Sequence, residues 1–472
     1  DEFTRSESGN DTNEQYWTSA YNAIAVANHA LEAIEQLPDP GAASLQKGEA
    51  LLARAYAHFC LLTLFADFFD TNNLAANPGI PYVTEPETVV IKHYDRETAA
   101  QTLEHVLKDL EEGMQLVGGS SDYDQPKFHF TRDAAAALGA RIALFSRNYN
   151  DVIRYANMLL PTPTQHFALS YTDDTPVLNA DGSPAQGVDP NDAADQFMRS
   201  NLHDWRTYIK SGNPDQMGTD FTSASANANL LLTECVTLAY REMVGTAYVR
   251  HAMERTAMVT LLTENVTGDP WIFQNVAYQW NGGRTYWLPK FYEDFKIDNP
   301  VAQTGVPYSK CALLRLEEVL LARAEAYAML GNYDGALDDL NMFAACRIDD
   351  YAYGPNTLYK DKLTDYYTAQ LNAPDHFINS AYNAGRFKAG DEGNVQKALI
   401  LTVLDFRRIE FLYEGIRYWD VLRWNIPVTH TTIDGATSTL TPDDDRRILQ
   451  IPQIATASGI QLNDMVNIPY PW

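Results

Sequence analysis

At 472 residues the chain has room for one large domain or two to three smaller ones, and 45% hydrophobic with 21% charged residues is the balance of a globular protein. Its 62 acidic against 35 basic residues leave a net charge of -27, which repels nucleic acid and anionic lipid and leaves neutral ligands or partners with basic faces. The longest apolar run, around Tyr56 to Phe65, falls well short of the ~18 residues a membrane helix needs.

Residues 1 to 14 are polar, and Asp1 to Asn10 show neither the basic start nor the apolar core of a signal peptide. From Tyr16 to Leu37 the positions Trp17, Tyr21, Ile24, Ala27, Asn28 and Leu31 share one helical face, and Pro38-Asp39-Pro40-Gly41 ends it. A second helix, Leu45 to Phe65, completes a hairpin. Residues 66 to 91 form a Pro/Asn-rich loop. A third helix spans 95 to 117, with Leu103, Val106, Leu107 and Leu110 inward, and two more fill Thr131 to Leu160. From Pro161 to Lys310 helical periodicity fails, and prolines, glycines, asparagines and aromatics alternate with short candidate strands and helices. Helices return over Ala312 to Ala345 and again over 393 to 414, which runs into Gly415 to Trp424. The tail from Pro442 is apolar and proline-pinned, which predicts that it packs down.

Residues 317 to 345 read as two helices folded back at Leu330-Gly331-Asn332, with Gly331 suited to left-handed closure and Ala322, Ala324, Ala326 and Ala328 allowing close approach. Gly331-Asn332-Tyr333-x-x-Ala336 at such a corner is similar to a tetratricopeptide repeat. One hairpin leaves a face unburied, so relatives are expected in the same chain. Glu49 to Ala57 matches Glu318 to Ala326 at seven of nine positions, and Ala140 to Leu159 aligns with Ala324 to Phe343, placing Asn148-Tyr149 on Asn332-Tyr333 and Asn157-Met158 on Asn341-Met342. The fold class is therefore mainly α, a tetratricopeptide-like helical-hairpin scaffold with a large irregular insertion containing short strands.

Several separated pieces resemble one family, the SusD/RagB proteins of Bacteroidetes nutrient uptake. They are Tyr21 to Asn28; Glu49-x-x-x-x-Arg54-Ala55 running into Leu64-Phe65; Gly79-Ile80-Pro81; and Arg315-x-x-Glu318 through Arg323-Ala324-Glu325-Ala326. The most specific is Arg407-Arg408-x-Glu410-x-x-x-Glu414-Gly415-x-Arg417-x-x-Asp420-x-x-Arg423-Trp424, followed by Ile451-Pro452. Ala66 stands where the family usually has Gly, with Phe68-Phe69 next. The family's R-x-R-A-G near Cys346 to Asp350 is missing, and the tail ends Asn467 to Trp472 without its usual Gln-Asn-Pro-Gly-Trp. The resemblance implies one SusD-like domain over 1–472, with helical hairpins over 16–160, an irregular ligand-binding insertion over 161–310, and hairpins plus a packed tail over 311–472. It also implies non-catalytic binding of a nutrient, usually an oligosaccharide, on the extracellular face of the outer membrane for a SusC-like TonB-dependent transporter. Contact with the membrane would be through a lipid anchor outside this chain.

Eight aromatics fall within 22 residues, Trp271, Phe273, Tyr278, Trp280, Tyr286, Trp287, Phe291 and Tyr292, interleaved with Asn281 and Arg284. Sugars present flat C–H faces and rings of hydroxyls, so aromatic platforms beside amide and guanidinium groups suit them. The site expected here comprises Trp271, Tyr278, Trp280, Asn281, Arg284, Tyr286 and Trp287, with Trp280 and Trp287 brought to one edge by a turn at Asn281-Gly282-Gly283-Arg284. Position in the family adds Asp67, Asn72 and Tyr82 from the loop. Glu410, Glu414, Arg417, Asp420 and Arg423 are spaced for ion pairs along helical faces rather than for catalysis. Asp443, Asp444 and Asp445 suit a helix start, with calcium the alternative. Cys60, Cys235, Cys311 and Cys346 are far apart in sequence and read as buried small hydrophobes. No nucleotide, hydrolase or zinc motif is present, so no cofactor or metal is expected. A helical-toroid glycoside hydrolase and a peptide-binding helical-repeat adaptor are the competing readings. Residues 161 to 310 interrupt the hairpins that the first would continue, and the second needs no Trp-rich insertion.

Overall fold

The computed structural model describes residues 11–87, 92–161, 190–237, 240, 253–279, 285–352, 354–372, 383, 385–431, 435–442 and 444–464. In chain order its helices are α1 (Asn13–Glu35), α2 (Ser44–Phe65), α3 (Ala99–Leu116), α4 (Arg132–Phe145), α5 (Tyr149–Leu159), α6 (Pro190–Asn201), α7 (Trp205–Tyr208), α8 (Pro214–Phe221), α9 (Arg255–Thr263), α10 (Leu316–Leu330), α11 (Tyr333–Arg347), α12 (Lys360–Tyr366), α13 (Thr368–Asn372), α14 (Gly390–Glu410) and α15 (Ile416–Arg423). Strands β1 (Asn229–Cys235), β5 (Glu293–Asn299) and β6 (Thr304–Arg315) form an antiparallel sheet in the order β1-β6-β5. Strands β2 (Met253–Glu254), β3 (Tyr278–Gln279) and β4 (Thr285–Trp287) form a second, and β7 (Val428–Thr431) pairs with β8 (Thr437–Leu440). The architecture is mainly α with short strands, as the periodicity predicts. Among the described residues no helix is long and apolar enough to cross a membrane, and no group of three His, Cys, Asp or Glu side chains could hold a metal ion.

Two compact units emerge, one from residues 1–146 with 418–472 and one from 147–417. In the first, α2 lies against α1 and α3 and buries Leu52, Ala55, Phe59, Leu62 and Phe65. A capping box between Thr98 and Gln101 starts α3 at Ala99, four residues later than its apolar pattern suggests. Phe68 and Phe69, which depart from the family's usual turn, are buried and join Phe59 and Phe145 at centroid distances of 5.2 to 5.8 Å. At the heart of this unit Arg54 forks onto Asp109 through Nε at 2.6 Å and Nη2 at 2.8 Å, while its Nη1 donates to Asn28 Oδ1 at 2.9 Å. The tail packs down at least to Asp464: Asn463 Nδ2 donates to the carbonyls of Phe65 and Leu449 at 3.0 and 3.1 Å. Residues 465–472 lie outside the described residues. Asp444 accepts from the Arg446 amide and opens a short 3-10 turn, Asp445–Arg447, and Asp443 is not among the described residues.

In the second unit α10 is buried along nearly its whole length between α5, α11 and α14. Gly331 closes it at φ 82° with a Schellman pair, Asn332 N to Tyr327 O at 2.8 Å and Gly331 N to Ala328 O at 3.2 Å. Asn332 then caps α11 by accepting from Gly335 N. The corner at Asn148 repeats this: Asn148 caps α5 with φ -88° and ψ 76°, against -86° and 73° at Asn332, and Arg147 takes the left-handed position at φ 59°. Helix α10 begins at Leu316, not near Ala312, because Ala312 and Cys311 are still paired with β1.

The carboxylates of the C-terminal signature are structural, but their partners are remote rather than neighbours along one helix. Glu410 accepts from Arg347 Nε at 2.8 Å and Arg315 Nη1 at 3.3 Å. Glu414 pairs with Lys290 at 2.6 Å and with Arg315 at 2.9 Å, and Glu317 pairs with Arg347 at 3.0 Å. Burial pushes the Lys290 ammonium below its ordinary range, and Glu414 and Glu410 offset part of that. Burial would raise Glu317, yet His203, Arg315 and Arg347 hold it well below the usual carboxylate range. Asp420 and Arg423 do form the expected pair along one helix, at 2.8 Å. Cys60 and Cys346 are buried as expected, but Cys235 and Cys311 are only half-buried and meet across β1 and β6 with their Sγ atoms 3.2 Å apart. Sequence distance hid a contact that strand pairing creates.

Candidate ligand site

Of the rings in the aromatic segment, Trp271, Phe273 and Trp287 are buried and Tyr286, Phe291 and Tyr292 are half-buried. Trp271 is fully buried, its ring 5.3 Å from Phe406 and 5.7 Å from Phe343, so it anchors the insertion against α11 and α14. Trp287 is 2% exposed. Neither indole face can stack on a sugar, which removes both from the expected platform and breaks the pairing of Trp280 with Trp287. Their burial follows from size: a large ring on a short strand or turn gains most by covering apolar neighbours. The hairpin that the Asn281 to Arg284 turn would close is present on both sides, with Tyr278 opposite Trp287 and Gln279 opposite Tyr286. Trp280, Asn281 and Arg284 lie outside the described residues, and Tyr278 is placed only by its strand. Tyr286 is half-buried, its carbonyl accepting from Tyr413 Oη at 2.5 Å and its ring 5.8 Å from the Arg255 guanidinium.

The loop residues belong to the other unit. Asp67 and Asn72 are exposed. Tyr82 is spent on structure: its ring stacks between His58 at 3.9 Å and His105 at 5.0 Å, and its hydroxyl donates to Asp109 at 2.5 Å. It therefore completes the Arg54–Asp109 node instead of facing a ligand. His58 beneath it donates from Nδ1 to the Arg54 carbonyl at 2.9 Å and accepts from Val83 N–H at Nε2 at 3.0 Å, an arrangement for a neutral ring. Burial drives its pKa down to about 3.

A pocket of about 160 Å³ opens where α8 meets the β1-β6-β5 sheet, lined by Thr219, Thr222, Ser223, Ala224, Tyr292, Asp294 and Lys310. Gly218 permits the meeting, since a Cβ there would lie 2.8 Å from the Phe291 carbonyl oxygen. Register puts Asp294 opposite Tyr308, and the Tyr308 hydroxyl donates to Asp294 Oδ2 at 3.2 Å. Lys310 lies opposite Glu234 on β1, and among the described residues its ammonium makes no ion pair. Hydroxyls that donate and accept, a carboxylate that accepts, an ammonium that donates and one phenol ring are a set suited to a polyol. Tyr292 belongs to the aromatic run that the sequence singles out. Asp294 follows two residues after it, while Lys310 and the stretch from Thr219 to Ala224 come from elsewhere in the chain with no shared spacing, so nothing in the linear sequence marks them.

Comparison with known proteins follows the same lines. A family profile described as "Starch-binding associating with outer membrane" matches residues 2–144, and one described as "SusD family" matches residues 262–441. A SusD superfamily protein from Bacteroides thetaiotaomicron superposes with TM-score 0.61 at 20% identity, over 95% of this chain and 84% of that one. A SusD-like carbohydrate binding protein from Bacteroides vulgatus gives 0.57 at 15% identity, over 94% and 82%, and a laminarin binding SusD-like protein gives 0.55 at 16%, over 95% and 85%. Curated protein sequences give no match. The fold is thus that of the SusD-like proteins, a helical-hairpin scaffold carrying an irregular insertion. The chain belongs to the SusD/RagB family.

Proposed function

We propose that this protein captures an oligosaccharide at the outer face of the outer membrane, held there by a lipid anchor, and passes it to a SusC-like TonB-dependent transporter without cleaving it. The observation that carries the binding step is the pocket of Tyr292, Asp294 and Lys310 beneath the hydroxyls of Thr219, Thr222 and Ser223, in a chain of a family whose relatives include a carbohydrate-binding and a laminarin-binding protein. One positive and one negative group give the pocket no net charge, which favours a neutral sugar inside a strongly acidic protein. Tyr286, with Tyr278, Trp280, Asn281 and Arg284 of the same sequence stretch, is a second set of candidate contacts, and Asp67 and Asn72, in the other unit, are a separate third. Residues 161–310 then act as the ligand-binding part of one domain, and the helices as its support.

A glycan array on the purified protein, followed by calorimetry, tests this. Lys310→Ala and Tyr292→Ala are each expected to weaken binding of the identified glycan by ~1 to 3 kcal/mol. Wild-type affinity in both folded variants would move the site to the Tyr278–Tyr286 hairpin. Incubation should leave the glycan's chain length unchanged, and steady release of shorter products would overturn the non-catalytic reading. Co-purification with a TonB-dependent barrel from the native membrane checks the partner.

A further inference from the structure

Cys235 and Cys311 sit on neighbouring antiparallel strands, Thr233 opposite Cys311 and Cys235 opposite Ser309, so both side chains point to the same face of the sheet. Their Sγ atoms are 3.2 Å apart and both residues are half-buried, open to small reagents, unlike the buried Cys60 and Cys346. We propose that Cys235 and Cys311 are an oxidisable pair that closes into a disulfide and clasps β1 to β6. The oxidant is a small-molecule or protein disulfide. One cysteine thiolate attacks it and expels a thiolate, giving a mixed disulfide, and the second cysteine thiolate attacks the protein sulfur and expels the other. Two thiols lose two protons and two electrons, and the oxidant is reduced to two thiols.

The placement gives the clasp a purpose that does not depend on which ligand is bound. Side chains alternate along a strand, so Cys311 faces away from Lys310, and the bridge would lie on the face opposite Tyr308, Lys310 and the pocket. It joins two cysteines 76 residues apart in sequence and fixes the register of their strands beside a bulged stretch, with pairing shifts between Asn229 and Leu232. A one-residue slip there would turn Lys310 away from the pocket. Oxidation therefore locks the wall of the site from behind without occupying it.

The test uses the whole protein. After incubation of the folded protein with oxidised glutathione, alkylation in denaturant should find two of the four thiols, Cys60 and Cys346, with the mass lower by two hydrogens and a linked peptide joining Cys235 to Cys311. Tm should rise by several degrees and return on adding dithiothreitol. Cys235→Ser should instead leave Cys311 as a glutathione adduct with no rise in Tm. Four alkylatable thiols after oxidation, separate glutathione adducts on both residues in the wild type, or a bridge that leaves Tm unchanged would each overturn the clasp.

Discussion

In one unit Arg54 of α2 forks onto Asp109 of α3 and reaches back to Asn28 of α1; in the other, Arg323 of α10 forks onto Asp339 of α11 at 2.7 and 2.9 Å and reaches back to Asn157 of α5 at 3.0 Å. Three helices meet at one guanidinium in both places, α1, α2 and α3 in the first and α5, α10 and α11 in the second. The surroundings differ. Arg54 is closed over by the loop after α2, with Tyr82 on Asp109 and the Thr84 carbonyl at 3.3 Å, whereas Arg323 spends its spare donor on the Pro161 carbonyl at 2.9 Å. Asp339 pays for the drier setting: burial raises its pKa even though Arg323 opposes the shift. The lesson is that the repeat conserves a charged joint and its three-helix geometry, while the lid over the joint is whatever loop passes there.

The largest way to break the comparison is to remove the cations. Arg323→Met should destabilise by ~3 to 5 kcal/mol, because it strands a buried carboxylate, and Arg54→Met by a comparable or smaller amount, read by chemical denaturation. A negligible cost at either would mean that the two joints are not equivalent. Next comes pH. His58 belongs to only one joint, and its folded-state pKa of about 3 lies below the unfolded value of 6.5. The unfolded chain takes up that proton first, so stability present above pH 6.5 is lost as pH falls toward 3, and this one group should cost about 2 kcal/mol between pH 7 and pH 5. His58→Gln should remove that increment; an unchanged pH profile would exclude a neutral buried ring. Asn28→Ala and Asn157→Ala each delete a hydrogen bond to a charged group and should cost ~1.5 kcal/mol apiece, and a clear difference between them would show which lid compensates better. The smallest contrast is at the corners. Gly331→Val should cost ~1 kcal/mol or more, and Arg147→Gly, at the same left-handed position, should be neutral or gain up to ~1 kcal/mol in Tm-derived stability.

How much of this is legible in the sequence follows from spacing. The match of Glu49–Ala57 to Glu318–Ala326 aligns Arg54 with Arg323, and the corner Asn148-Tyr149 with Asn332-Tyr333, because each feature is fixed within a single turn or helix. The partners are not. Asp109 lies 55 residues after Arg54 and Asp339 only 16 after Arg323, so no repeat aligns them. Asn157, aligned by its corner with Asn341, plays the part of Asn28 instead. Among site residues, Trp287 shows the limit: in a three-residue strand, inward and outward rings have the same sequence pattern, and only packing decides. The pocket escapes for a related reason, since Thr219, Asp294 and Lys310 converge only once β5, β6 and α8 are in place.

Strand β5 lies at the edge of its sheet, and its hairpin with β6 leaves Phe295, Ile297, Val301 and Val306 between 42% and 96% exposed. Such an edge is an open template on which another extended chain could add by backbone hydrogen bonds. Between the apolar positions stand Asp294, Lys296 and Asp298, so an incoming strand would have to bury a charge at every second residue. The same charges that line one side of the hairpin therefore disfavour edge-to-edge pairing between copies of the chain.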